Sequence, residues 1–346
     1  MLEKPDIPDA DILTVLQDAY GIQADQIAFL PIGADLGTAV YRASTSGHIP
    51  YFVKLRSGGF SEISLTLPKW LSEQGISHLI PPLTVKTGRL WTHLGNFTLF
   101  VYPFVEGQDG YSKALTDEQW RELGDTLKRI HTANIPEELI RSIPGETYSS
   151  KWRTSLRESL AKLESGTFED PLSLELAAFV NSKQALILDL VRRTDRLGRR
   201  LAASRPTVTV CHSDLHAGNI LIDPKGHFYI VDWDNPILAP KERDLMFPGG
   251  AQGFLGHTAQ EEERLFYQGY GQVEIDQVAL AYYRYERIIE DLAIYCQEIG
   301  LAKESQADRE QSLRYLKSNF LPNNTIATAY ASDRTQGSTQ YPPEEK

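Results

Sequence analysis

The residues best able to do chemistry lie together in one stretch, Thr207 to Asp234, which reads TVTVCHSDLHAGNILIDPKGHFYIVDWD. Three short β-rich runs are audible in it: Val208 to Val210, Ile220 to Ile222, and Phe228 to Val231. The last two are joined by Asp223-Pro224-Lys225-Gly226-His227, a turn cluster that fits a hairpin. His212 to Asn219 therefore falls between two strands, and Asp232-Trp233-Asp234 follows a third. A carboxylate at Asp214, an amide at Asn219 and a second carboxylate at Asp232 are the parts that phosphoryl transfer asks of a protein. The first would face an attacking hydroxyl; the other two would hold divalent cations on the phosphates. The alternation of His212, Asp214 and His216 would also suit zinc in a hydrolase, but such a site would not require Asn219 and Asp232.

Asp, Asn and Asp in this order match the catalytic loop and metal-binding segment of kinases. Ser213 stands where an Arg usually precedes the catalytic Asp, and Trp233-Asp234 stands where Phe-Gly usually follows the metal Asp, which points away from protein kinases. HSDLHAGN followed by VDWD resembles the aminoglycoside phosphotransferases, kinase-like enzymes that phosphorylate small hydroxylated molecules. YPFVEG, LAPKERDLMFPGG and YYRYERIIEDLAIYCQE resemble the branch of that family that acts on spectinomycin. The similarity runs from about Ile7 to about Asn324.

The resemblance implies an α+β, two-lobed, protein-kinase-like fold. A small antiparallel-sheet lobe would span 1–102, a hinge 103–107, and a larger, mostly helical catalytic and substrate-binding lobe 108–324, with a flexible tail over 325–346. ATP and Mg2+ are the implied cofactors, with Asp214 catalytic and Asn219 and Asp232 on the metal. At the hinge, the Pro103 carbonyl and the Val105 N–H would meet adenine. Arg243 and Asp244 would form a structural ion pair beneath the site.

Several elements must position these groups. Pro50 to Leu55 is a β-rich run with a single cation, Lys54, which in the kinase arrangement pairs with the phosphates and with a Glu on the next helix; Glu62 is the candidate. Ala28 to Tyr41 reads as strand, turn, strand, with Gly33 at a turn where backbone N–H groups can approach phosphate. Arg89 to His93 and Phe97 to Tyr102 complete a five-stranded sheet. Asp9 to Tyr20 is a helix with an Asp to cap it, ended by Gly21, and Thr116 caps an amphipathic helix to Ala133. Glu62 to Gln74 is helical with Pro68 placed to kink or end it. Helices follow over Lys151 to Gly166, Leu172 to Leu201, Glu261 to Gly271, Glu274 to Gly300 and Arg309 to Phe320. The arginines from Arg192 to Arg200 read as a solvated helix face.

Forty-one per cent hydrophobic and 23% charged residues are ordinary globular values. No apolar run reaches bilayer length, so no membrane partner and a cytoplasmic location are expected. Two cysteines exclude a disulfide framework. A net charge of −11 disfavours nucleic acid and favours a cationic ligand. The expected acceptor is a small cationic antibiotic or another small alcohol, met by Asp234, Glu106, Asp109, Glu290 or Asp291, and the expected state is a monomer. A kinase for another aminoglycoside, choline, a fructosamine or methylthioribose, or a nucleotide-binding pseudokinase, are the alternatives.

Overall fold

The computed structural model describes residues 4–32, 37–300 and 306–334. In chain order it begins with α1 (Asp9–Val15), which continues as a π-helical turn over Leu16–Tyr20, then β1 (Ala24–Leu30), β2 (Thr38–Thr45), β3 (Pro50–Ser57) and α2 (Ile63–Glu73). β4 (Thr92–Leu94), β5 (Phe97–Pro103), β6 (Gln108–Asp109), α3 (Asp117–His131) and α4 (Glu137–Ile140) follow. After α5 (Lys151–Ser165), α6 (Pro171–Ser182) and α7 (Gln184–Ser204) come β7 (Thr209–Cys211), β8 (Ile220–Ile222), β9 (Phe228–Ile230) and β10 (Ile237–Ala239). The chain closes with α8 (Glu242–Leu245), α9 (Ala259–Tyr270), α10 (Gln277–Gly300), α11 (Gln306–Ser318) and α12 (Thr325–Arg334). These elements form two compact units that interleave in sequence. One contains the chain up to Pro144 together with Asp214–Pro236; the other contains Gly145–Ser213 and the chain from Ile237.

The first unit is built on an antiparallel sheet of order β1-β2-β3-β5-β4. Alternation along β3 explains its two faces: Val53 and Leu55 are buried with Tyr41, Leu99 and Val101 against Ile12 and Leu16, while Lys54 and Arg56 share the opposite face. Pro8, and not an Asp, sits at the N-cap of α1; Asp9 instead pairs with Lys4 at 2.8 Å. Gly21 closes the π-helical turn at φ 74°. α2 runs through Pro68 to Glu73, because Ile63, Leu65, Leu67 and Leu71 bury the face it presents, and packing outweighs a local cost of about 3 kcal/mol for the ring. Thr116 forms a full capping box with Gln119 at the start of α3. A second sheet, β6-β8-β9, contains the expected hairpin, with Ile220 opposite Ile230 and Ile222 opposite Phe228.

In the second unit α10 is the central helix, packed by α5, α6, α7, α8, α11 and α12. Tyr282, Tyr283, Tyr285, Ile288, Ile289 and Leu292 fill its surroundings. The single helix expected over Leu172 to Leu201 is two helices, broken at Lys183 (φ −108°, ψ 6°); the preceding Ser182 turns its hydroxyl back to the Phe179 carbonyl at 2.6 Å, the local competition that ends helices. The expectation of a flexible tail is corrected for its first ten residues. They form α12, whose Ile326, Ala329 and Tyr330 are buried, since an i, i+3, i+4 spacing gives even this polar segment an apolar stripe.

Candidate active site

Lys54, Asp214, Asn219, Asp232 and Asp234 all belong to the first unit. β3 presents Lys54 toward the turn that follows β9. There its Nζ lies 2.9 and 3.0 Å from the two carboxylate oxygens of Asp234 and 3.3 Å from Oδ1 of Asp232. Burial alone would push the Lys54 pKa down, but the Asp232 and Asp234 carboxylates more than offset this and hold it above its ordinary value. Arg56, two residues along the same strand face, places Nη1 2.7 Å from Asp234 Oδ2. Tyr102 on β5 feels the same acids: burial first, then Asp234 and Asp232, push its phenol upward.

Glu62 is not the partner of Lys54. At the N-cap of α2 its Oε1 accepts a hydrogen bond from Trp91 Nε1 at 3.0 Å, and Asp234 takes the part expected of a helix glutamate. Arg56 was missed, although its i, i+2 spacing from Lys54 announces a shared face.

Asp232 has φ 63°, a left-handed backbone that costs about 1–3 kcal/mol for a side-chain-bearing residue and carries its carboxylate to Lys54. Asn219, 7% exposed, donates from Nδ2 to the Asp214 carbonyl at 2.8 Å. That bond ties the start of the loop to its end and makes Oδ1 the atom Asn219 could offer a cation. Immediately before Asp214, the His212 and Ser213 N–H groups donate to the two oxygens of fully buried Asp244, at 2.9 and 2.7 Å. The expected Arg243–Asp244 ion pair is thereby corrected: Asp244 serves the backbone, and the Arg243 guanidinium lies over the Tyr283 ring at 5.4 Å.

The remaining expectations separate clearly. Gly33 lies outside the described residues. Pro103 ends β5 opposite Tyr51, and half-buried Val105 follows it. Glu106 pairs with Arg42 at 2.6 Å, and Asp109 Oδ1 accepts from the Ser112 N–H at 2.9 Å, capping its own turn. Glu290 and Asp291 lie on α10 in the second unit, where Asp291 Oδ1 is 3.1 Å from Arg287 Nε. Among the described residues no helix is long and apolar enough to cross a membrane.

A largely buried cation on a strand thus faces two carboxylates that end a hairpin, in the unit that also carries the loop with Asp214 and Asn219. Residues 28–246 match the model of the phosphotransferase enzyme family. The chain belongs to that family. This phosphotransferase resembles the crystal structure of spectinomycin phosphotransferase APH(9)-Ia in complex with ADP and spectinomycin, with a TM-score of 0.88, 35% identity, and coverage of 95% of this chain and 100% of that one. It also matches Protein StrN of Streptomyces griseus, 28% identical over 232 residues, which are 63% of this chain and 67% of StrN. The amicoumacin kinase hAmiN in complex with AMP-PNP, Ca2+ and Ami shares the fold at a TM-score of 0.61 and 19% identity, over 92% of this chain and 95% of that one. The phosphotransferase thus has the two-lobed, kinase-like α+β fold and is a small-molecule kinase of the aminoglycoside phosphotransferase type.

Proposed function

We propose that the enzyme transfers the γ-phosphoryl group of ATP to a hydroxyl of an aminocyclitol or aminoglycoside antibiotic, with spectinomycin the first acceptor to try. The observation that carries this is the juxtaposition of Lys54 with Asp232 and Asp234 in the unit that also holds Asp214 and Asn219. The spectinomycin assignment draws on 35% identity to a spectinomycin phosphotransferase over 95% of the chain. In this reading Asp214 orients the acceptor hydroxyl and takes its proton as phosphoryl transfer proceeds. Lys54, kept charged by its carboxylate partners, receives the phosphates, and Arg56 extends that positive surface along β3.

The donor set suits magnesium: Asn219 Oδ1 and the Asp232 carboxylate are hard oxygen ligands, and such a cation usually takes one or two carboxylates plus phosphates. Bound there, it would neutralise charge on the transferring group. Pro103 and Val105 would meet the adenine, and the net charge of −11 suits a cationic acceptor. A cytoplasmic monomer with no nucleic-acid partner completes the reading.

The test is phosphate transfer from MgATP to spectinomycin, with streptomycin, kanamycin and choline beside it. Product with spectinomycin is expected; transfer only to another acceptor would move the substrate and keep the mechanism. D214N should lower kcat by about 10²–10⁴-fold, the usual weight of a general base, with the KM for ATP close to that of the wild type. Normal turnover in that variant would remove Asp214 from the mechanism.

A further inference from the structure

The loop that carries Asp214 contains a second polar side chain that the proposed mechanism does not use, His216. Its surroundings in the first unit fix both its ring plane and its tautomer. Nδ1 accepts the Gly218 backbone N–H at 3.0 Å, and the Tyr111 hydroxyl lies 3.0 Å from the same nitrogen. An N–H donor admits only an unprotonated acceptor, so in the neutral ring the proton sits on Nε2. Nε2 faces Asp214, 3.6 Å from Oδ2. The Tyr111 ring stacks on the imidazole with centroids 5.7 Å apart and planes at 21°.

The backbone is shaped around this stack. A Cβ on Gly218 would lie 2.6 Å from Tyr111 Cε2 and 2.9 Å from His216 Cε1. One on Gly110 would lie 2.8 Å from the Ala217 carbonyl, to which the Gly110 N–H already donates at 2.9 Å. Two glycines therefore allow the segment after β6 to press Tyr111 against the catalytic loop. The Gly218 N–H and the Tyr111 hydroxyl orient the ring so that Nε2 is turned to the carboxylate.

We infer that His216, held by Gly218 and Tyr111, is a positioning residue for Asp214: its Nε2–H engages Oδ2 and leaves Oδ1 to receive the acceptor proton. At 3.6 Å the contact is longer than a hydrogen bond, and catalytic contacts of this kind often close only when substrate is bound. The inference rests on the reading of Asp214 as the base.

Two measurements test it. In protein with ¹⁵N-labelled histidine, the His216 resonances, assigned by their loss in H216F, should report an unprotonated Nδ1 and a protonated Nε2; the reverse tautomer would overturn the inference whatever the acceptor. In the transfer assay with spectinomycin, H216F should lower kcat roughly 10- to 100-fold, the effect of one hydrogen bond to a charged group, with little change in the KM for ATP. H216Q, which keeps an N–H donor, should recover part of that loss. In a D214N background H216F should cost nothing further, whereas a purely structural histidine would subtract the same factor again. A silent H216F beside a dead D214N would overturn the inference alone; an active D214N would overturn the base assignment beneath it.

Discussion

Asp234 is the residue that most changes the picture of the site. In a kinase arrangement the strand lysine is steadied by a glutamate on the following helix, and here that glutamate is committed to Trp91. Asp234 instead bridges Lys54 and Arg56, with contacts of 2.9 and 2.7 Å, and its side chain is only 23% exposed. Because the folded-state pKa of Lys54 lies above its ordinary value, the stabilising charge pair is complete below the unfolded pKa of about 10.4. It is lost only as pH rises through the higher folded value, so assays near neutrality read it intact. E62Q should therefore leave the KM for ATP within about twofold of the wild type, whereas D234N, which frees two cations from their anchor, should raise it about tenfold, or about 1.4 kcal/mol. Measuring the KM for ATP in both variants decides between the two carboxylates, and a large effect of E62Q with none in D234N would restore the helix glutamate.

At the scale of elements, the loop carrying Asp214 is held at its start by Asp244 and at its end by Asn219. Ser213 has φ 74°, and a backbone in that region persists only where its surroundings over-determine it. The two N–H bonds to buried Asp244 supply that restraint. D244A would orphan both donors, at a cost of about 3–6 kcal/mol on the scale of hydrogen bonds to charged groups; urea denaturation should show it, and an unchanged midpoint would remove Asp244 as the clamp. The sequence could not have announced this contact, since backbone donors have no letter of their own, and an acid next to an arginine reads as an ion pair. The β8–β9 hairpin was legible because Asp223 to His227 are turn residues acting locally, and Lys54 was legible as a lone cation in an apolar strand. What joins the two, Lys54 to Asp234 across 180 residues, is a product of the tertiary fold. Glu62 was misread for the same reason: its spacing suits Lys54, but the fold brings Trp91 to it first.

At the scale of the whole chain, the arginine run of α7 and the C-terminal segment explain one another. Read alone, Arg192 to Arg200 is a solvated face and the chain from Thr325 a polar tail. Arg192, Arg196, Arg199 and Arg200 do stay exposed, but Arg193 and α12 form a largely buried joint in the second unit. Asp333, 1% exposed on α12, lies 2.6 Å from Arg193 Nη1 and 3.3 Å from both Arg196 Nη2 and the Tyr285 hydroxyl. Tyr330 lies beneath the Arg193 guanidinium, 4.7 Å from ring centroid to carbon, and packs edge-on against Tyr285. Its hydroxyl donates to Asp189, which also pairs with Arg193 at 2.7 Å. Removing one partner of a buried ion pair costs about 3–5 kcal/mol because the other charge stays behind, and losing a large buried ring costs a similar amount. D333A should therefore lower the unfolding free energy by about 3–5 kcal/mol, and a chain ending at Asn324 should lose more, since it also removes buried Ile326 and Ala329 and uncovers the flank of α10. Thermal unfolding of the two variants beside the full chain checks this. A truncated protein that melted with the full-length one would mean that α12 only rests on the unit, and that the arginines of α7 find water or other acids as readily as Asp333.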